Sequence, residues 1–309
     1  MSHNPPLSRQ QRFFNFWARY AQRPTLQYVK SPRLLRFLTD LTAPLTYKRP
    51  ADMLRHAVPV KTAQHVIPAT ACTIKHQAVT GTLLYLHGGG FVIGSLPMYQ
   101  HLVARLGAAA GLRGVFVDYR MAPEHPFPAA VDDALATYTQ LCADPSAGPI
   151  AIAGDSAGGN LVLALLLKLK ACGLPPPFAA VALSPVVNLE SPYPAFHENV
   201  ATDPLLPPEW GLRCLASYIG DHDRRDPLLS PIFGDFTGAP PCMVHYDTAE
   251  LLSDDGRIIV QHLADHGVAV ETEITTGRTH VWHLNVGRVP EADASVAVIG
   301  DFLRRHHPG

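Results

Sequence analysis

Charge is scarce in this chain. Asp, Glu, Lys and Arg make up 17% of the 309 residues, and 25 bases against 26 acids give a formal net charge of -1. That balance leaves no electropositive footprint for nucleic acid. Paired cysteines are missing too: the five (Cys72, Cys142, Cys172, Cys214, Cys242) are odd in number, widely spaced and form no C-x-x-C. They argue against a disulfide framework or zinc site and read as reduced, mostly buried small apolar groups. No apolar run is long enough to span a membrane, since the longest, LVLALLLKLKACGL from Leu161, is broken by Lys168 and Lys170 and reads as a core helix. The opening MSHNPPLSRQQRFF lacks the basic start, apolar core and cleavage site of a secretory leader, so the expected location is the cytoplasm. There is no internal repeat and no low-complexity tract.

What remains is a chain with 47% hydrophobic residues, enough to bury a large core as one α/β domain or as a core with a lid. Short apolar strands are expected at residues 82–86 (TLLYL), 114–119 (GVFVDY), 149–153 (PIAIA), 179–184 (AAVALS), 241–246 (PCMVHY) and 268–274 (VAVETEI). Helical patterns fall between most of them, at 99–111, 129–143 and 254–267, where Ile258, Ile259, His262 and Leu263 share one face and Gly267 closes the segment. This alternation predicts an α/β fold with a mostly parallel sheet flanked by helices. Two regions break the rhythm: residues 1–70, with the amphipathic stretches RFFNFWARY and SPRLLRFLTDLTAPL, and the irregular, proline-rich residues 188–225. They are expected to form N-terminal cap helices and a cap insertion over a core made of 71–187 and 226–309.

The chemistry is concentrated in PIAIAGDSAGGNLVLALLL, where a strand runs into Gly154-Asp155-Ser156-Ala157-Gly158 and a helix follows at once. This G-x-S-x-G order fits a nucleophile elbow, whose sharp turn exposes the serine hydroxyl while glycines on either side avoid collision. It puts Ser156 at a helix N-terminus, where unpaired amides favour developing negative charge. Upstream, HGGGF (87–91) follows another strand, and its glycines let backbone N–H groups approach a carbonyl oxygen. Gly88, Gly89 and Ala157 are the expected oxyanion donors. A phosphate loop is disfavoured, because neither G-x-x-x-x-G-K-[ST] nor G-x-G-x-x-G is matched. His87 reads as structural.

Taken in order, HGGGFVIGS, VDYRMAPEHPFPAAVDDALA, GDSAGGNL, DPLLSPIFGDF and THVWH make residues 80–305 resemble the hormone-sensitive-lipase-like esterases of the α/β-hydrolase fold. The resemblance implies a central sheet with a helical cap and cofactor-free, metal-free hydrolysis of small-molecule carboxylic esters with short or medium acyl chains. It also implies that YRMAPEHPFP is scaffold around the oxyanion loop. No nucleic-acid partner and no stable membrane insertion are expected, and edge-strand pairing into a homodimer is left open.

A nucleophilic serine needs a positioned imidazole, and in this fold the partners follow in the order serine, acid, histidine. His280 and His283 both lie beyond the last expected strand, and the HVW pattern resembles the family's catalytic segment. His280 is therefore the expected base and His283 a neighbour lining the site. A metal pair at this spacing lacks a nearby carboxylate motif. For the acid, Asp247 directly follows its strand and Glu250 lies three residues on. Aligning LSDDG with the family's D-P-L-x-D-[DE]-G puts Glu250 in the acid register, a glutamate where the family usually carries aspartate, and Asp247, where the simplest version of the fold presents its acid, stays the alternative. Asp254 and Asp255 are assigned to capping the next helix.

Overall fold

The computed structural model describes residues 6–309. The first five residues of the stretch read for a leader lie outside the described residues. Three helices come first: α1 (Arg9–Trp17), which runs through a π-helical segment (Ala18–Gln22) into α2 (Arg23–Tyr28), and α3 (Pro32–Thr46). Ser8 and Ser31 cap α1 and α3 by accepting the amides of Gln11 and Leu34. Then follow β1 (Met53–Ala57), β2 (Val60–Lys61), β3 (Val66–Ile67), β4 (Ala69–Ile74), β5 (Thr82–Leu86), α4 (Leu96–Ala110), β6 (Arg113–Val117) and α5 (Ala129–Ala143). The second half carries β7 (Ile150–Asp155), α6 (Ala157–Ala171), β8 (Ala180–Leu183), α7 (Ala195–Glu198), α8 (Pro208–Ile219), β9 (Cys242–Asp247), α9 (Ser253–Asp265), β10 (Val270–Thr275) and α10 (Pro290–His306).

Eight strands form one sheet in the order β1-β4-β6-β5-β7-β8-β9-β10, parallel from β6 to β10 and antiparallel at β1/β4 and β4/β6. Every strand of the parallel part overlaps one expected from the sequence, although in β10 (VETEIT) only Thr275 is buried. In β5, Leu84 and Leu86 enter one core layer and Leu83 and Tyr85 the other. A strand buried on both faces reads as a continuous apolar run. Helices α5, α6 and α9 cover one face and α4 and α10 the other. The chain leaves β5 toward β6 on one side and returns to β7 on the other, so the carboxyl ends of β5 and β7 flank the crevice where the strand order reverses. Open α/β sheets bind ligands at such a crevice.

Residues 53–70, read with the N-terminal helices from sequence, instead supply β1 and the β2/β3 ribbon and start β4. Four of the five β1 residues are exposed at the sheet edge, so that strand carries no apolar pattern to read. The π-helical segment and α2 are tied to the segment 188–225: Arg19 and Arg23 donate to the carbonyls of Val200, Ala201, Thr202 and Asp203, and Arg213 donates to those of Leu26 and Gln27. Among the described residues no helix is long and apolar enough to cross a membrane. All five cysteines are free, with Cys72, Cys214 and Cys242 buried but Cys142 and Cys172 exposed.

Candidate active site

The turn between β7 and α6 puts Ser156 at φ 53°, ψ -117°, a backbone conformation costly for a residue with a Cβ. What holds it there is close packing of glycines: a Cβ on Gly158 would lie 2.0 Å from the carbonyl oxygen of Leu86, and one on Gly154 would lie 2.4 Å from that of Gly158. The Ser156 amide donates to Leu183 O at 2.7 Å, and the Asn160 side chain anchors the carbonyls of Val186 and Leu229. The motif's final asparagine thus ties the start of α6 to two loops of the sheet's carboxyl edge.

Asp155, next to the serine, is buried and organises the glycine loop after β5. Its Oδ1 accepts from Tyr85 at 2.8 Å and from the Gly88 amide at 3.0 Å, and its Oδ2 accepts from Tyr99 at 3.0 Å. Burial pushes this carboxyl up to about 6 despite the three donors. The bond from Gly88 corrects the sequence assignment of oxyanion donors. Its N–H is committed to Asp155, whereas no such bond from Gly89 or Gly90 is found among the described residues. The free amides are shifted one residue along the loop because the acid of the G-D-S turn consumes the first one. His87 is structural, as read: it is buried, stacks on Tyr119 at 4.2 Å, bonds the Gly88 carbonyl, and burial holds it down at about 4. The YRMAPEHPFP segment fixes this loop, with Tyr119 donating to His87 O, the Ala122 amide to Phe91 O, and Arg120 clamped on Asp133.

Four carboxylates lie at and after the end of β9, and each has its own partners. Glu250 Oε2 lies 2.7 Å from His280 Nδ1, and its Oε1 accepts the Asp247 amide at 3.0 Å. Asp247 is saturated elsewhere: it accepts from the amides of Ala249, Gly277 and Arg278 and from Thr275 Oγ1. It pins the loop that carries His280 and makes no bond to the imidazole. Asp255 accepts the amides of Val187 and Asn188, and Asp254 that of Ala195, so these two tie down neighbouring loops more than they cap α9. Burial raises Glu250, opposed by its bond to His280. Burial alone would lower His280, but Glu250, Asp203 and Asp155 around it outweigh that and raise it. Its Nε2 is buried and has no hydrogen-bond partner among the described residues.

A contribution with no sequence signal comes from the irregular segment before α8. Buried Asp203 accepts the amides of Leu205 and Leu206 on Oδ1 and that of Leu251 on Oδ2, while Asn199 donates to the carbonyls of Thr248 and Glu250. The acid-bearing loop is therefore held from above. The structure corrects the reading of His283, which is fully buried and bonds His245 at 3.0 Å instead of lining the site. Burial keeps both of these rings neutral, and Glu273 beside them is paired with Arg278 at 3.0 Å. His245, Glu273 and His283 are close enough to share an ion. Arg278 and Ser295 hold Glu273 Oε1, while His245 Nε2, His283 Nδ1 and Glu273 Oε2 have no hydrogen-bond partner among the described residues.

Ser156 and His280 line one cavity of about 300 Å³, together with Gly89, Trp17 and Leu26 from the N-terminal helices and Leu205, Leu206 and Trp210 from the segment 188–225. A second cavity of about 60 Å³, bounded by Gly90, Ala157, Phe196, Trp210 and Leu251, also reaches Ser156. Phe91 (φ 62°) and Val281 (φ 51°) sit beside Gly90 and His280, so strained residues cluster at this point.

Residues 83–284 match the family described as having the α/β-hydrolase fold. Over 224 residues the chain is 40% identical to an acetyl-hydrolase of Streptomyces hygroscopicus, covering 72% of this chain and 75% of that one. It is 33% identical over 234 residues to an ethyl acetate hydrolase of Pseudomonas putida, covering 72% and 73%. A crystal structure of an esterase from the bacterial hormone-sensitive lipase family superposes with a TM-score of 0.88 at 33% identity, covering 98% of this chain and 99% of that one. The chain belongs to the α/β-hydrolase fold family, among the esterases related to hormone-sensitive lipase. It is a carboxylesterase, a hydrolase of ester bonds.

Proposed function

We propose that hydrolysis proceeds through an acyl-enzyme on Ser156, with His280 as base, Glu250 as the acid that orients it, and an oxyanion hole made by the amides of Gly89, Gly90 and Ala157. Glu250 fixes the His280 tautomer with the proton on Nδ1, leaving Nε2 to take the Ser156 proton as the hydroxyl oxygen attacks the ester carbonyl. The tetrahedral oxyanion is stabilised by the glycine loop and by the first amide of α6. As it collapses, the C–O bond to the alcohol breaks and His280 gives the proton to the departing oxygen. Water then attacks the acyl-enzyme, with His280 again accepting its proton, and releases the acid. The observation that carries this reading is the 2.7 Å contact of His280 Nδ1 with buried Glu250, while Nε2 stays unpartnered in a site that Ser156 shares.

The two cavities meeting at Ser156 match the two halves of an ester, and the smaller one restricts its half to a short group. Relatives named for acetyl and ethyl acetate hydrolysis agree with a short-chain substrate. In this reading α1–α3 and 188–225 act together as the cap, since both line the larger cavity. Ser156→Ala should fold normally and lose on the order of 10⁴-fold or more in turnover of short-chain p-nitrophenyl esters. Turnover close to wild type in that variant would refute the mechanism.

A further inference from the structure

Helices normally turn their apolar side chains inward, but the N-terminal helices also present an apolar stripe to solvent. Phe13, Phe16, Trp17 and Tyr20 recur at helical spacing along α1 and its π-helical continuation and are 40–66% exposed. Leu34, Phe37, Leu41 and Leu45 do the same along α3 at 48–79%. Neither stripe is the packing face. In α1 and α3 the fully buried residues are others, namely Gln11, Leu35 and Ala43. Single exposed apolar residues are ordinary on a protein surface, but two periodic stripes on helices that border one cavity call for something to cover them.

Charge indicates what that is. Residues 6–49 hold nine Lys and Arg but a single acidic residue, Asp40, although the whole chain has a net charge of -1. Arg19, Arg23 and Arg36 are engaged in bonds to the body of the protein. Arg9, Arg12, Lys30, Lys48 and Arg49 remain at the surface, as does Arg33, which lies 3.9 Å from Glu124. The larger cavity opens between these same helices: Trp17, Ala21 and Thr25 border it from one side and Leu38, Thr39 and Thr42 from the other.

We propose that this face docks onto an anionic lipid surface, with the two apolar stripes entering the headgroup boundary, the bases meeting lipid phosphates, and the cavity mouth turned toward the bilayer. Helices that combine an apolar stripe with flanking bases and low net hydrophobicity lie in the plane of such an interface without spanning it. A second copy of the chain is disfavoured as the occupant, because pairing this face with itself would bring two cationic surfaces together. An ester dissolved in the lipid would reach Ser156 without crossing bulk water. Binding itself needs no catalysis, so the proposal stands apart from the triad.

The test is co-sedimentation of the full chain with vesicles of phosphatidylglycerol and phosphatidylcholine in equal parts, against vesicles of phosphatidylcholine alone. The expected result is binding to the anionic vesicles that weakens with salt and persists in Ser156→Ala. Combined Phe16→Ser, Phe37→Ser, Leu41→Ser and Leu45→Ser should weaken partitioning at least about tenfold while leaving hydrolysis of a water-soluble ester unchanged. Combined Arg9→Glu, Arg12→Glu and Lys30→Glu should weaken it about 100-fold and remove its salt dependence. All these positions are exposed, so the variants fold. Absence of vesicle binding would overturn the proposal, as would binding insensitive to both sets of changes. A dimer that the four apolar-to-serine changes dissociate, with no vesicle binding, would overturn it in favour of a second copy.

Discussion

Replacing Glu250 by Gln should separate catalysis from folding, and Asp247 provides the control. In the wild type, Glu250 Oε1 accepts the Asp247 amide and Oε2 holds the Nδ1 proton of His280 at 2.7 Å. A glutamine that keeps the first bond turns its NH₂ toward Nδ1, which must then be the unprotonated nitrogen. The proton moves to Nε2, and His280 can no longer take one from Ser156. The equivalent loss of tautomer control in serine-protease triads costs about 10⁴-fold in kcat, or about 5 kcal/mol of transition-state stabilisation. Asp247→Ala acts differently: it strips the acceptor from four donors, those of Ala249, Gly277, Arg278 and Thr275. At about 1 kcal/mol each this is about 4 kcal/mol of stability. With about 2.1 cal/mol/K of unfolding entropy per residue, it lowers Tm by about 6 °C. Short-chain p-nitrophenyl ester turnover and thermal unfolding of both variants, measured together, decide the matter. A folded Asp247→Ala that has lost four orders of magnitude beside an active Glu250→Gln would refute the assignment.

The pH profile follows from the same contact. Glu250 and its acidic neighbours raise His280 above the ordinary histidine value, so kcat/KM should fall as pH drops through a midpoint above about 6.5, where the imidazole takes a proton and ceases to be a base. The residual activity of Glu250→Gln should show that midpoint displaced downward, because the largest opposing charge is gone; an unmoved midpoint would refute the coupling. Asp203→Ala leaves the amides of Leu205, Leu206 and Leu251 without their buried acceptor. It should cost about 3 kcal/mol of stability and lower kcat by about tenfold as the acid loop loosens. An unchanged kcat, measured at a temperature where the variant is folded, would show that the cap segment does not position Glu250.

Local composition suffices to mark the central strands of the parallel part of the sheet. Strands buried on both faces need unbroken apolar runs, and TLLYL, PIAIA and PCMVHY mark β5, β7 and β9 to within two residues. The sequence by itself determined the elbow as well, because only glycine fits where a Cβ at 158 would strike the Leu86 carbonyl. It could not reveal β1, an exposed edge strand whose pairing with β4 supplies the order that its side chains do not encode. Nor could it give the partners of polar groups, which depend on distances between residues far apart in the chain. The commitment of the Gly88 amide to Asp155, the withdrawal of His283 onto His245, and the hold of Asp203 on the Leu251 amide join residues 67, 38 and 48 positions apart. Glycine spacing and strand order are written locally, whereas a hydrogen bond between distant residues exists only once packing brings donor and acceptor within about 3 Å.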